Sequence, residues 1–140
     1  MRLFNKVAIV GTGLIGGSIA LAIKKKGLAK QIVGVSRHKK TLGFARRIGA
    51  IDRGSQGLNI IQDADLVILA TPISTIINLA PKISQIIGRK CIVTDVGSTK
   101  QQIVSKLEKI FPFYIGSHPL AGSEKRGVTN ASSNIFRDSL

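Results

Sequence analysis

Val7-Ala8-Ile9-Val10-Gly11-Thr12-Gly13-Leu14-Ile15-Gly16 is the stretch that decides the fold. Four consecutive apolar residues read as a buried strand, and they run without a spacer into G-x-G-x-x-G. A helix-period segment over 14–26 follows, with Ile15, Ile19, Leu21, Ala22 and Ile23 on its apolar face. Each glycine has its own physical task in that setting. Gly11 permits the tight turn, Gly13 lets backbone approach a pyrophosphate, and Gly16 lets helix and strand pack closely. The helix N-terminus adds unpaired N–H groups and a positive dipole end for phosphate oxygens. Strand, glycine fingerprint and helix in that order predict a dinucleotide site at Gly11, Thr12, Gly13, Leu14, Ile15 and Gly16.

Beyond this stretch, apolar runs alternate with helix-period segments, the pattern of a parallel sheet with crossover helices. The first helix closes on Lys24-Lys25-Lys26-Gly27, cations at the negative end of its dipole followed by a glycine stop. Further strands are predicted over 31–36, 66–70, 91–95 and 113–117. Helices are predicted over 40–48, closed by Gly49, over 73–87 with a break or kink at Pro81, and over 100–110. Pro72 fits a first helical turn. The fold class is α/β, a Rossmann-type doubly wound, mostly parallel sheet. Residues 1–140 read as one NAD(P)-binding domain. Because 134–140 read as a helix end entering another strand, that domain is expected to be incomplete at its C-terminal end.

The net charge of +14 is concentrated: ten of the 21 basic residues lie between Lys24 and Arg53, against one acid, Asp52. Charge alone would suit a nucleic acid. Only 4% of the residues are aromatic, however, and none interleave with the basic run to stack bases, so no nucleic-acid partner is expected. The cluster reads as solvated helix faces or as the seat of a small anionic ligand. No apolar run approaches the roughly 18 residues of a membrane span, and Met1 to Lys6 lead straight into a strand without a signal-peptide pattern. No membrane partner and a cytoplasmic location are therefore expected. The single Cys91 excludes an internal disulfide, fits a reducing compartment and lies in an apolar run that reads as core. No set of metal ligands is read in the chain.

The end of the second strand normally carries an acid that takes the ribose 2′-hydroxyl. Here it reads Val35-Ser36-Arg37-His38-Lys39-Lys40, without a carboxylate. Ser36 can donate a hydrogen bond and Arg37 can pair with a 2′-phosphate, so NADP is expected in preference to NAD. If Arg37 only stacks on adenine, both cofactors remain acceptable. His38 reads as a solvent-facing loop residue. Thr71 and Pro72, at the carboxyl end of a central strand, should border the same crevice, though Thr71 reads equally well as part of a turn that starts a helix.

Thr94-Asp95-Val96-Gly97-Ser98-Thr99-Lys100 follows the next strand. A buried Asp95 would need hydrogen-bond partners, and Ser98 reads as a helix N-cap or as a hydroxyl facing the nicotinamide and a nearby base. Gly116-Ser117-His118-Pro119-Leu120-Ala121-Gly122-Ser123-Glu124-Lys125-Arg126-Gly127 then sets a histidine, hydroxyls and a carboxylate in a loop that glycines and a proline keep from being helical. An unperturbed histidine, with a pKa of about 6.5, offers a neutral nitrogen near pH 7. A dehydrogenase acting on an alcohol needs such a base.

These three segments, the first extended through Gly17-Ser18, resemble prephenate/arogenate dehydrogenases in order and spacing over nearly the whole chain. The most specific part is His-Pro-x-Ala-Gly-x-Glu-x-x-Gly from His118 to Gly127. The resemblance implies NAD(P)-dependent oxidative decarboxylation of prephenate or arogenate in tyrosine biosynthesis. It implies His118 as the base for the ring hydroxyl and Ser98 as its hydrogen-bonding neighbour. Ser123 and Glu124 would stand beside the substrate. It also implies a second, mostly helical domain that forms a homodimer and completes the substrate pocket, and that domain is expected to be missing from the 140 residues. The 140 residues alone are thus expected to bind nucleotide with weak or absent turnover. Two other readings share the fingerprint: an oxidoreductase for a different hydroxy or imino acid, which a substrate screen would reveal, and a nucleotide-binding remnant without catalysis.

Overall fold

Val7 to Val10 are each at most 1% exposed, so the first strand is enclosed on both faces and forms the centre of a layered molecule. The computed structural model describes residues 2–96 and 100–116, with the backbone alone for 100–103. Ser98, His118, Ser123 and Glu124 lie outside the described residues, as do Ser117 and the segment 134–140.

In chain order the elements are β1 (Phe4–Val10), α1 (Leu14–Lys25), β2 (Ala29–Val35), α2 (Lys39–Arg47), β3 (Arg53–Ser55), a 3₁₀ turn (Leu58–Ile61), β4 (Leu66–Leu69), α3 (Ile73–Ile86), β5 (Ile92–Asp95), α4 (Lys100–Ile110) and β6 (Tyr114–Gly116). The strands form one six-stranded sheet in the order β3-β2-β1-β4-β5-β6. Every pairing in it is parallel. This is the doubly wound α/β sheet that the alternation of apolar runs predicts.

Alternate residues of a strand face opposite sides, and β1 divides its side chains accordingly. Ala8 and Val10 join Val33, Val67 and Leu69 in a core with Ile76 and Ile83 of α3 and Leu107 of α4. Val7 and Ile9 join Ile32 and Ile68 in a second core with Ala20 of α1 and Leu42 and Ala45 of α2. Burying each such branched side chain contributes about 1.5–3 kcal/mol. Cys91 belongs to the first core, as its apolar context predicts. Burial and the nearby Asp65 charge push its thiol up to about 11, which keeps it protonated and unreactive at neutral pH.

The glycine stop predicted for α1 is present. Gly27 takes φ +64°, its N–H donates to Lys24 O at 3.1 Å, and Leu28 N–H donates to Ile23 O at 3.1 Å. Those two bonds satisfy carbonyls the helix leaves open, and α2 ends the same way at Gly49. At the amino edge of the sheet two aspartates act as staples. Asp65 accepts from the N–H groups of Asn5 (2.7 Å) and Lys6 (3.1 Å). Asp52 accepts from Ile32 N–H (2.8 Å) and pairs with Lys24. Burial pushes the Asp52 carboxyl up, but bonds from Lys24 and Ile32 and the Lys24 charge outweigh it and lower its pKa.

Three features differ from the sequence pattern or go beyond it. Of the break or kink expected at Pro81, the break does not occur: α3 runs from Ile73 to Ile86 through that residue. Its buried stripe of Ile76, Ala80 and Ile83 packs the helix onto the sheet on both sides of the missing N–H. Pro72, with ψ 153°, is extended and caps the helix instead of lying in its first turn; its carbonyl accepts from Ile76 N–H at 3.0 Å. Finally, β3 and the 3₁₀ turn have no counterpart in the pattern reading. β3 is held by pairing Arg53, Gly54 and Ser55 with Val33, Gly34 and Val35. Among the described residues, no helix is long and apolar enough to cross a membrane.

Candidate nucleotide-binding site

The strand order reverses between β1 and β4, and such a reversal opens a crevice at the carboxyl ends of the strands. Two backbone bonds hold its floor together: Gly11 N–H donates to Val35 O and Ala70 N–H to Val10 O, both at 2.8 Å. The ends of β2, β1 and β4 thereby lie side by side.

The fingerprint glycines differ in what surrounds them. Gly11 has φ +100°, and a Cβ there would come within 2.8 Å of Thr71 Cγ2 and 2.9 Å of the Ala70 carbonyl carbon. A Cβ on Gly16 would collide with the Gly11 carbonyl oxygen and reach Ile9 Cγ2 at 3.0 Å. Around Gly13 the described residues leave open space, so another molecule can approach its backbone. Gly13 is also the N-cap of α1, with no side-chain cap and no acid in the first turn. The first-turn N–H groups therefore stay available to an anion. Leu14 is buried in the core, so its backbone is what it offers.

Thr12 is 1% exposed, and its methyl fills the space that a Cβ on Gly34 would enter at 2.7 Å. The hydroxyl oxygens of Thr12 and Thr71 are buried without a hydrogen-bond partner among the described residues. A buried hydroxyl left unpaired costs about 1–3 kcal/mol. Thr71 lines the cleft beside the glycine turn, so an oxygen-rich ligand there would offer its hydroxyl a partner. The glycine cradle, the uncapped helix end and the Thr71 hydroxyl all fit the phosphates of a dinucleotide.

Beside the cradle lies a cleft of about 440 Å³, between the end of β2 and the start of α3. Ser36, Arg37, Thr71 and Pro72 all line it, so the structure brings together what the sequence predicted from separate segments. His38 lines it too, where a solvent-facing loop position was expected; it is exposed and also borders the cleft. Pattern reading missed Gln56 and Leu58 after β3, and Thr75, Asn78 and Leu79 on α3. The spacing of Thr75, Asn78 and Leu79 after Pro72 is the one signal that could have found the helical set, since positions three and four apart share a helix face. Of the ten basic residues from Lys24 to Arg53, Arg37 is the one that lines this cleft. Lys24, Arg46 and Arg47 instead border a shallow surface hollow of about 490 Å³ with Asp52. That hollow is wide and open, with no glycine cradle, and its cations sit in helical last turns, where the dipole and, for Lys24, the Asp52 ion pair account for them.

At the far side of the crevice, Asp95 ends β5 and is fully buried. The partner it needs is Tyr114 of β6, whose hydroxyl donates to the Asp95 carboxylate. Burial first, then that bond and the charges of Asp95 and Glu108, raise the Tyr114 pKa, so it stays a donor. Asp95 lies opposite Gly116 in the sheet, so β5 and β6 end side by side.

A parallel sheet with this switch point and cradle defines a nucleotide-binding domain of the doubly wound class. The sequence profile of the family described as "Prephenate dehydrogenase, nucleotide-binding domain" matches residues 19–140, and the chain belongs to the prephenate dehydrogenase family. It is 38% identical over 141 residues to the prephenate dehydrogenase of Bacillus subtilis, covering 97% of this chain and 38% of that protein. Among solved structures it is similar to the prephenate dehydrogenase from A. aeolicus in complex with hydroxyphenyl propionate and NAD+, with a TM-score of 0.89 and 34% identity. That match covers 94% of this chain and 47% of the other. The Synechocystis arogenate dehydrogenase gives a TM-score of 0.88 at 34% identity, over 94% of this chain and 46% of the other. The chain thus spans less than half the length of each of these three proteins.

The contrast between two glycines is testable. Gly16→Ala should destabilise the domain by about 1–3 kcal/mol through overpacking and abolish nucleotide binding. Gly13→Ala should keep most of the stability and still weaken binding. Thermal melts with calorimetric titration read both effects; equal melting temperatures for the two variants would contradict the packing account.

Proposed function

We propose that this chain is the nucleotide-binding half of a dehydrogenase that oxidatively decarboxylates prephenate or arogenate, with NADP preferred to NAD. The observation that carries the reading is the glycine cradle at the end of β1, opening on the same sheet edge as the paired ends of β5 and β6. From those two ends the chain runs on to Ser98 and His118. Membership of the family supports the reaction class.

The bound nicotinamide supplies a hydride acceptor. The chain's own residues do the rest. The first-turn N–H groups of α1 hold the phosphates, and Thr71 offers a hydroxyl beside them. Ser36 and Arg37 receive the 2′-phosphate. Ser36 Oγ already accepts from His38 N–H at 3.2 Å, which leaves its own hydrogen to donate. Ser36 and Arg37 stand at the place where a carboxylate would repel that phosphate. His118 takes the proton of the substrate's ring hydroxyl, and Ser98 hydrogen-bonds His118 or that hydroxyl. Ser123 and Glu124 belong to the polar network around the substrate. Loss of the ring carboxylate as carbon dioxide leaves an aromatic product, and that aromatisation drives the step. The buried Asp95–Tyr114 bond supports this geometry by tying together the strands that precede Ser98 and His118 in the chain. A homodimeric assembly and a cytoplasmic site of action belong to the same reading.

The cofactor preference is tested by calorimetric titration of the chain with NADP+ and NAD+. NADP+ should bind at least about tenfold more tightly, as expected of a charge-assisted bond, and Arg37→Ala should remove the difference. A preference for NAD+ would contradict it. In the protein that carries this chain, His118→Asn should keep NADP+ affinity and lower kcat with prephenate or arogenate by about a hundredfold or more. Turnover close to wild type would remove His118 from the mechanism.

A further inference from the structure

The loop that ends β2 is tied at three successive residues, and two of the ties come from the neighbouring edge of the sheet. Ser36 N–H donates to Ser55 O at 3.2 Å. The Gln56 side-chain amide donates through Nε2 to Arg37 O at 2.7 Å. His38 N–H donates to Ser36 Oγ at 3.2 Å. Gln56 is itself held, because Gly57 N–H donates to Ser55 Oγ at 3.0 Å and so fixes the turn that follows β3. The peptide from which Arg37 projects is therefore clamped from the β3 side.

Arg37 needs such a clamp. It is exposed and has no ion-pair partner among the described residues. A free arginine at a loop tip must give up both backbone and rotamer freedom when it grips a ligand. Fixing the peptide in advance removes the backbone part of that loss, leaving more of the contact to appear as affinity. Gln56, Ser36 and Arg37 line the same cleft, so the clamp and the groups it orients meet at one ligand.

We propose that Gln56 is a positioning residue for cofactor selectivity: by holding the Arg37 carbonyl it aims Arg37 and Ser36 at the 2′-phosphate of the adenosine ribose. The proposal rests on the NADP reading above. Gln56 acts through the loop, so its effect belongs to ligands that carry a 2′-phosphate and requires Arg37.

Two fragments that differ only in that phosphate test it, adenosine 2′,5′-bisphosphate and adenosine 5′-monophosphate, titrated calorimetrically into the chain. The wild type should prefer the bisphosphate. Gln56→Ala should lower that preference about three- to tenfold, the worth of one hydrogen bond, while the monophosphate affinity and the melting temperature stay near wild type. In an Arg37→Ala background, adding Gln56→Ala should change the preference less than about twofold. An unchanged preference in Gln56→Ala would overturn the proposal. So would equal weakening of both fragments, or the same loss with Arg37 already removed. A wild type that binds the two fragments equally would overturn the NADP reading itself, and this inference with it.

Discussion

A carbonyl oxygen sits where a side chain on Gly16 would have to go. The contact between Gly16 and the Gly11 backbone lets α1 start directly over the end of β1, and the rest of the site depends on that closeness. With α1 seated there, its first turn, which no side chain caps, begins at the carboxyl end of β1. Across the same turn the Thr12 methyl fills the space left by Gly34, drawing β2 in as well. Strand, turn and helix then converge on one point, and the convergence needs small residues on several elements at once. This is why a short sequence fingerprint carries so much structural weight.

Charge is sorted along the strands. Asp52 and Asp65 staple the amino edge, where Asp63 and Glu108 also lie before β4 and near the end of α4. At the carboxyl edge the acid among the described residues is Asp95, which is buried and bonded to Tyr114. A dinucleotide entering that edge thus meets helix N–H groups, hydroxyls and Arg37 with little repulsion. The large positive net charge reads differently in this light. Five of the ten clustered cations, Lys24, Lys25, Lys26, Arg46 and Arg47, stand at helix ends at the amino edge, and Arg37 lines the ligand cleft.

The buried strands and the cradle were legible because apolar runs and glycines have sharp physical meanings. The need of Asp95 for a partner was legible too, from the cost of burying a carboxylate. Its identity was not, since Tyr114 belongs to a strand that becomes its neighbour only when the sheet forms. β3 escaped because Arg53-Gly54-Ser55 has no apolar pattern and owes its existence to the pairing with β2. Gln56, whose place follows from β3, escaped with it. At Pro81 the local signal for a break was overridden by the packing of Ile76, Ala80 and Ile83 on either side of it. Ser98 and His118 were read from residue chemistry and strand-end position, Ser123 and Glu124 were given their roles by the family resemblance, and all four lie outside the described residues.

The central claim is that the N-terminus of α1 and the end of β2 hold the phosphates of NADP. Amide hydrogen exchange, followed by mass spectrometry on the chain with and without saturating NADP+, tests it most directly. The account predicts added protection at Gly11 to Gly16 and at Ser36 to His38, with the last turns of α1 and α2 unchanged. Protection centred on Lys24, Arg46 and Arg47, with the glycine turn exchanging as before, would contradict it.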